Sequence, residues 1–258
     1  MEVHAHSHTE RKKWTHYLWE FLMLFLAVFC GFLAENEREH LVENRKEKKY
    51  IISMMEDLKK DSAFLTLSMN KLIPFHSMWL DSAIHLFQLQ DLNTKNREIY
   101  QAYFLGTAWD YDYFPTQRTL SQLHSAGYNL IRNKEAAKAI SQLEDGYNFY
   151  YKWNAYVQDK QNEIDFAAGV FADKNVVDTI SFIAFRNVQN DPLIDLKLSD
   201  IPLSATINTT NKEALKNYVE KLRSYSFYLQ ANIKNEHVLY LNFIRGTMDI
   251  IRNEYNLQ

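Results

Sequence analysis

The longest apolar run in the chain lies close to its N-terminus. Residues 14–34 read WTHYLWEFLMLFLAVFCGFLA and contain one acidic side chain, Glu20. A helix that crosses a membrane needs about 20 mostly apolar residues, because each residue rises about 1.5 Å through a hydrocarbon core roughly 30 Å thick. The charge-free stretch 21–34 is too short by itself. A spanning helix must therefore take Glu20 into or against the hydrocarbon.

The polar and small side chains of this run share one face of the predicted helix. At about 100° per residue, Glu20 falls near Ala27, Gly31 and Ala34, and bulky apolar side chains cover the wider remainder. Ala27 and Gly31 have the spacing that lets two helix backbones approach closely in lipid. An acid in a membrane helix usually faces a protein partner or a wet cavity. The pattern predicts a helix–helix interface on this face.

A second interpretation of Glu20 stays open at this point. Trp14, His16, Tyr17 and Trp19 resemble the aromatic belt found at membrane surfaces. Glu20 would then extend to the level of that belt or be protonated, with no protein partner.

The run is interpreted as an uncleaved anchor. A cleaved signal peptide would need a small-x-small site, and the flank FLAENEREH offers none that is convincing. Lipoprotein processing at Cys30 is disfavoured because bulky Phe29 precedes it. The sequence therefore predicts a membrane-spanning helix over residues 14–34.

The basic residues on the two sides of the anchor give conflicting orientations. Three precede it within 11–13, and five follow it between positions 38 and 49. Because the cytoplasmic side of a membrane helix usually carries more Lys and Arg, this count places the C-terminal side in the cytoplasm. A compact basic cluster before an N-terminal anchor favours the reverse, and long downstream domains translocate largely regardless of charge. We predict a single-pass bacterial inner-membrane protein, with a cytoplasmic His-rich leader over 1–13 and a periplasmic body.

Helical patterns follow the anchor. Residues 35–49 are highly charged and place Glu35, Glu39, Glu43 and Glu47 in one i, i+4 row, which is either a solvated face or a docking surface for a basic partner. From Tyr50 the pattern becomes amphipathic until Pro74, where we expect the helix to bend or end. The predicted fold class is all-α: one transmembrane helix continues into a long helix, and a multi-helix soluble domain covers 50–258.

Several helix ends of the soluble domain have recognisable signals. Gly127 suits a helix C-terminus, and Asn133 and Asp173 suit N-caps. Thr210 with Glu213 forms a capping box for a final helix over 211–255. The segment 190–210 is predicted to be the longest non-helical connector, and its length makes it a candidate docking segment for a partner.

Composition narrows the function. The net charge of -3 lacks the basic stripe of a nucleic-acid binder, so we expect no nucleic-acid partner. The single cysteine, Cys30, excludes an intramolecular disulfide. Aromatic residues make up 14% of the chain, which excludes a disordered stalk.

Two short clusters have metal-ligand chemistry. His4, His6 and His8 alternate, so an extended leader would present their imidazoles on one side to Zn, Ni or Cu. The alternative is a simple polar terminus. Asp110 and Asp112 are two apart but lack a third ligand at a familiar spacing. We predict no cofactor.

Three motifs resemble those of a family of uncharacterised bacterial single-pass membrane proteins with a domain of unknown function. They are YIISMMEDLKKD at 50–61, SAGYNLIRN at 125–133 and the pair Tyr150-Tyr151. The resemblance covers residues 14–155, and the chain departs from the family pattern in its His-rich leader and its apolar run. It implies a cell-envelope location and a helical periplasmic domain, and it implies no catalytic activity.

The sequence lacks the G-x-S-x-G, HExxH and P-loop patterns of common catalytic sites. We therefore expect a non-enzymatic accessory subunit of a cell-envelope complex. Its partners would be the lipid bilayer and either further copies of the chain or other membrane subunits. A tethered periplasmic sensor or ligand-binding domain is the alternative, and an enzyme of unrecognised type ranks third.

Overall fold

The computed structural model describes residues 14–107, 114–127, 130–186 and 195–257. These residues form helices and no strand, apart from one isolated bridge between Ala172 and Ile207. The helices are α1 (Trp14–Leu67), α2 (Ile73–Leu86), α3 (Asn96–Thr107), α4 (Arg118–Ala126), α5 (Lys134–Ala168), α6 (Lys174–Arg186), α7 (Lys212–Tyr228) and α8 (Lys234–Tyr255). The predicted all-α class is confirmed.

Two π-helical turns join successive helices without a break. Ser68–Leu72 joins α1 to α2, giving one helix from Trp14 to Leu86, and Leu229–Ile233 joins α7 to α8. The helix therefore continues past Pro74, and the expectation that it could end there is wrong. In the π turn the Ile73 amide donates to the Ser68 carbonyl, five residues back. This wider turn precedes Pro74, whose missing N–H and bulky ring disturb an ordinary α-helical turn.

The chain divides into two units, Met1–Ile51 and Ile52–Gln258. The described part of the first unit is entirely helical. In the second unit α2 packs against α3 and α7, and α5 packs against α7 and α8.

Aromatic rings fill the centre of the second unit. Phe87 and Tyr218 both lie 4.9 Å from Phe171, measured between ring centroids, and Tyr103 lies 5.5 Å from Phe171. The rings meet at steep angles, which is the arrangement that aromatic pairs prefer. Burial raises the pKa of the Tyr103 and Tyr218 hydroxyls, so both stay neutral.

The connector before α7 is anchored on α3. The side chains of Leu196, Ile201 and Ile207 are buried in the core. Gln101 donates to the Leu196 carbonyl at 2.8 Å, and Arg97 donates to the Ile201 carbonyl at 3.1 Å. Side chains of a helix thus satisfy a backbone that has no regular partner.

The predicted helix ends are largely correct. Gly127 has φ +89°, which favours glycine. Asn133 accepts from the Ala136 amide at 2.9 Å, and Asp173 accepts from the Asn175 amide at 2.8 Å. The prediction of a capping box at Thr210 is wrong, because Asn211 caps α7.

The cap of α7 lies one residue later than predicted. Asn211 accepts from the Ala214 amide at 3.0 Å. The Thr210 hydroxyl instead donates to Asn208 at 2.7 Å. An asparagine caps at least as well as a threonine, so the adjacent residue takes the role.

Candidate functional site

The predicted membrane helix face is uncovered in the structure. One helix in the described part of the chain is long and apolar enough to cross a membrane, and its most apolar window lies near the N-terminus and has no buried residue. Every side chain from 14 to 34 is exposed. A Cβ added at Gly31 would meet nothing within 4 Å. The predicted interface residues Glu20, Ala27, Gly31 and Ala34 are therefore accessible to a neighbouring helix.

The opposite face is a row of stacked aromatic rings. Phe21 and Phe25 lie 6.3 Å apart, and Phe25 and Phe29 lie 5.9 Å apart, with rings inclined by 21° and 9°. Residues four apart are neighbours on a helix surface, which explains the contact. The helix is thus two-sided: its small residues lie on one side and its phenylalanines on the other.

Glu20 has a polar partner within its own helix. The His16 Nε2 atom lies 3.0 Å from Glu20 Oε1, and each side chain is about half exposed, at 48% and 51%. This pair is not among the sequence predictions, which place His16 in an aromatic belt, although its i, i+4 spacing signals it. The pair places a polar, hydrogen-bonding group on the side of the helix that carries the small residues.

The four glutamates of the predicted docking row differ in their surroundings. Glu35 forms an ion pair with Arg38, and this guanidinium lowers the pKa of the Glu35 carboxyl. Glu39 is exposed, and Glu43 is exposed with His40 at 3.9 Å. Glu47 is buried, at 7% exposure. The accessible acidic row therefore consists of the first three residues, because the solvated face ends before Glu47.

The predicted metal ligands lie outside the described residues. This applies to His4, His6 and His8, and also to Asp110 and Asp112. Within the ranges that the structure describes, no group of three His, Cys, Asp or Glu side chains is arranged to hold a metal ion.

Two buried carboxylates form the most elaborate polar site of the second unit. Asp57 and Asp61 lie one turn apart on α1 and are 0% and 2% exposed. Asp57 accepts from the Thr119 hydroxyl at 2.6 Å and from the Thr119 amide at 3.1 Å. Arg118 donates to the same carboxylate at 2.9 Å. Asp57 thus caps the first turn of α4 from another helix.

Asp61 repeats this arrangement on the residues before α4. It accepts from the Thr116 hydroxyl at 2.6 Å and from the Thr116 amide at 3.1 Å. The Tyr147 hydroxyl of α5 donates to it at 3.5 Å. We call Asp57, Asp61, Thr116 and Thr119 the Asp–Thr latch. The latch joins α1, α4 and α5 through groups that are all hydrogen-bonded.

The sequence predictions assign no role to the four latch residues. Asp57 and Asp61 occur in the DLKKD part of a motif, and Thr116 and Thr119 occur in TQRT. The available signal was that Asp61 falls in the apolar stripe between Leu58 and Leu65, where an acid needs a partner. The partner lies more than fifty residues away, so the sequence did not identify it.

Two histidines are buried and neutral. His76 donates through Nδ1 to the Leu105 carbonyl at 2.6 Å, and His237 Nδ1 lies 2.8 Å from the Tyr150 hydroxyl. Burial lowers the pKa of both imidazoles to about 4. Partial burial raises the pKa of the Asp165 carboxyl to about 6. On acidification the two histidines lower the stability of the folded state, whereas Asp165 raises it.

Comparison of the chain with protein-family models, with curated proteins and with solved structures gave no match. The resemblance of residues 14–155 to a family of uncharacterised membrane proteins therefore stays a prediction.

Proposed function

We propose that this protein is a non-enzymatic, membrane-anchored subunit of a bacterial cell-envelope complex. It crosses the inner membrane once, with the leader in the cytoplasm and the helical bundle in the periplasm. Its anchor associates with a second copy or with another membrane subunit through Glu20, Ala27, Gly31 and Ala34.

The observation that supports this proposal is the two-sided character of the anchor. Small residues allow close backbone approach, and in lipid close packing and hydrogen bonds drive helix association. The His16–Glu20 pair supplies the hydrogen-bonding group on that side. The stacked phenylalanines suit contact with lipid chains, which are apolar and make no hydrogen bonds.

The association can be tested on the full chain in a mild detergent by mass measurement. We expect a dimer or a stable complex with a co-purified membrane protein. Gly31→Leu should disrupt it because the larger side chain prevents close approach. Phe29→Leu on the opposite side is the matched control and should leave the mass unchanged. The proposed association would be refuted if the wild-type protein were a monomer without any co-purified protein and if Glu20→Gln left its mass unchanged.

The orientation has its own test. A protease added to intact spheroplasts should digest the bundle, because the proposal places it outside the inner membrane. Digestion that required membrane lysis would show the reverse orientation and would leave the proposed helix interface untouched.

A further inference from the structure

A cleft in the second unit has the size of a small-molecule site. It lies between the turn 87–93 that follows α2 and one side of α7, and its volume is about 590 Å³. Ligand pockets in proteins commonly have volumes between about 300 and 1,000 Å³. All of its lining residues belong to the part of the chain that the structure describes.

The floor of the cleft is apolar and fixed. Phe87, Leu215 and Val219 line it and are each less than 10% exposed, at 8%, 7% and 8%. The Phe87 ring is held edge-on against Phe171 at 4.9 Å and Tyr218 at 5.5 Å. These rings belong to the central core of the unit. The floor is therefore preformed and needs no rearrangement to accept an apolar group.

The α7 side of the cleft is basic. Lys212 and Lys216 are one turn apart, are exposed and line the cleft. Neither lysine forms a salt bridge within the described parts of the chain. Arg223, two turns further along, is instead paired with Glu220 at 3.3 Å.

The first turn of α7 carries Lys212 and Glu213 side by side, and the helix dipole there favours the negative charge of Glu213. A bound anion would compensate the charges of Lys212 and Lys216. Gln88, Gln90 and Asp91 line the opposite lip of the cleft. The second lining acid, Glu220, is paired with Arg223, so the cationic end lies at the start of α7.

We propose that this cleft binds a small organic anion with an apolar body. The carboxylate of the ligand lies between Lys212 and Lys216, and its ring or alkyl chain lies on the floor formed by Phe87, Leu215 and Val219. The class is a monocarboxylate in which the charge and the apolar body are at opposite ends. This site is separate from the anchor, and its existence does not depend on the proposed membrane association.

The test uses 4-phenylbutyrate as the probe and full-length protein in a neutral detergent. Ligand-observed NMR with the protein titrated should show saturable binding that weakens as salt is added. The uncharged analogue 4-phenylbutanol should bind at least about tenfold more weakly, because it keeps the apolar body and lacks the charge. Inorganic phosphate should compete poorly, because it has the charge and lacks the apolar body.

Substitutions test whether Lys212 and Lys216 bind the carboxylate of 4-phenylbutyrate. Lys212→Gln with Lys216→Gln should weaken binding of 4-phenylbutyrate by about tenfold or more. Lys138→Gln with Lys152→Gln removes two exposed lysines of α5 and should leave binding unchanged. All four positions are on the surface, so each variant should keep the wild-type circular dichroism spectrum.

Three results would overturn the proposal. The first is no saturable binding of 4-phenylbutyrate. The second is equal binding of 4-phenylbutanol or equally strong competition by phosphate. The third is unchanged affinity in the variant that lacks Lys212 and Lys216.

Discussion

Removing the carboxylate of Asp57 should destabilise the second unit more than removing any exposed acid. Asp57 is fully buried and accepts three hydrogen bonds, two of them from Thr119. The change Asp57→Ala leaves the Thr119 amide and hydroxyl buried without that acceptor. Glu56→Ala is the matched control, because Glu56 is the preceding residue, is exposed and lies 3.8 Å from the same Arg118.

The expected size of the effect follows from burial. Arg118 is half exposed and water can replace its lost partner, so the cost comes from the two buried Thr119 donors, at about 1–3 kcal/mol for each donor left unsatisfied. Asp57→Asn keeps one acceptor oxygen and should cost less, about 1–3 kcal/mol. Exposed ion pairs contribute about 1 kcal/mol at most, so Glu56→Ala should cost roughly 0.5 kcal/mol or less.

The measurement is urea unfolding of the full chain in a mild detergent, followed by tryptophan fluorescence and circular dichroism. A double-mutant cycle of Asp57→Ala with Thr119→Val isolates the contact and should give a coupling of about 1–3 kcal/mol. Equal losses in Asp57→Ala and Glu56→Ala would refute the reasoning, and so would a coupling near zero. Either result would mean that the latch adds no stability beyond that of a surface pair.

Four further outcomes are expected from the same unfolding assay. Gly106→Ala should destabilise by about 1–3 kcal/mol, because its Cβ would lie 3.0 Å from a backbone nitrogen of α2. Gly246→Ala, with nothing within 4 Å, should stabilise α8 by about 0.5–1 kcal/mol, and the reverse order would contradict this packing. Asn133→Ala should cost about 1 kcal/mol through loss of the α5 cap, and no change would contradict the assigned cap. Stability should fall as the pH drops from 6.5 to 4, because unfolded histidines bind protons there and buried His76 and His237, with pKa about 4, do not. The two histidines together outweigh Asp165, whose raised pKa stabilises the folded state over the same range. The limit is about 3 kcal/mol per histidine, and a urea midpoint that rises over this range would refute the assignment.

The local part of the fold could be predicted from the sequence. The apolar stripe of α1 and the caps at Asn133 and Asp173 depend on residues within a few positions of one another. Such signals are visible in a linear pattern. The same holds for the exposed face that carries Glu20, since helical spacing alone defines it.

The parts that depend on distant residues could not be predicted in this way. The pairing of Asp57 with Thr119 joins residues 62 apart. The cleft requires the turn 87–93 to meet α7, more than a hundred residues later. The continuation of the helix past Pro74 required a π turn, which has no strong sequence signature.

The π turn at Ser68–Leu72 has a consequence for how this chain tolerates insertions and deletions. A π turn is equivalent to one extra residue taken into an α-helix without rotating the segments on either side. Deleting one residue from this turn would remove the extra residue and keep the buried faces of both flanking segments in register, at the cost of placing Pro74 after an ordinary α-helical turn. Deletion of a residue elsewhere in the long helix would turn everything beyond it by about 100° and expose the apolar stripe. We therefore expect natural length variation in this helix to concentrate at Ser68–Leu72.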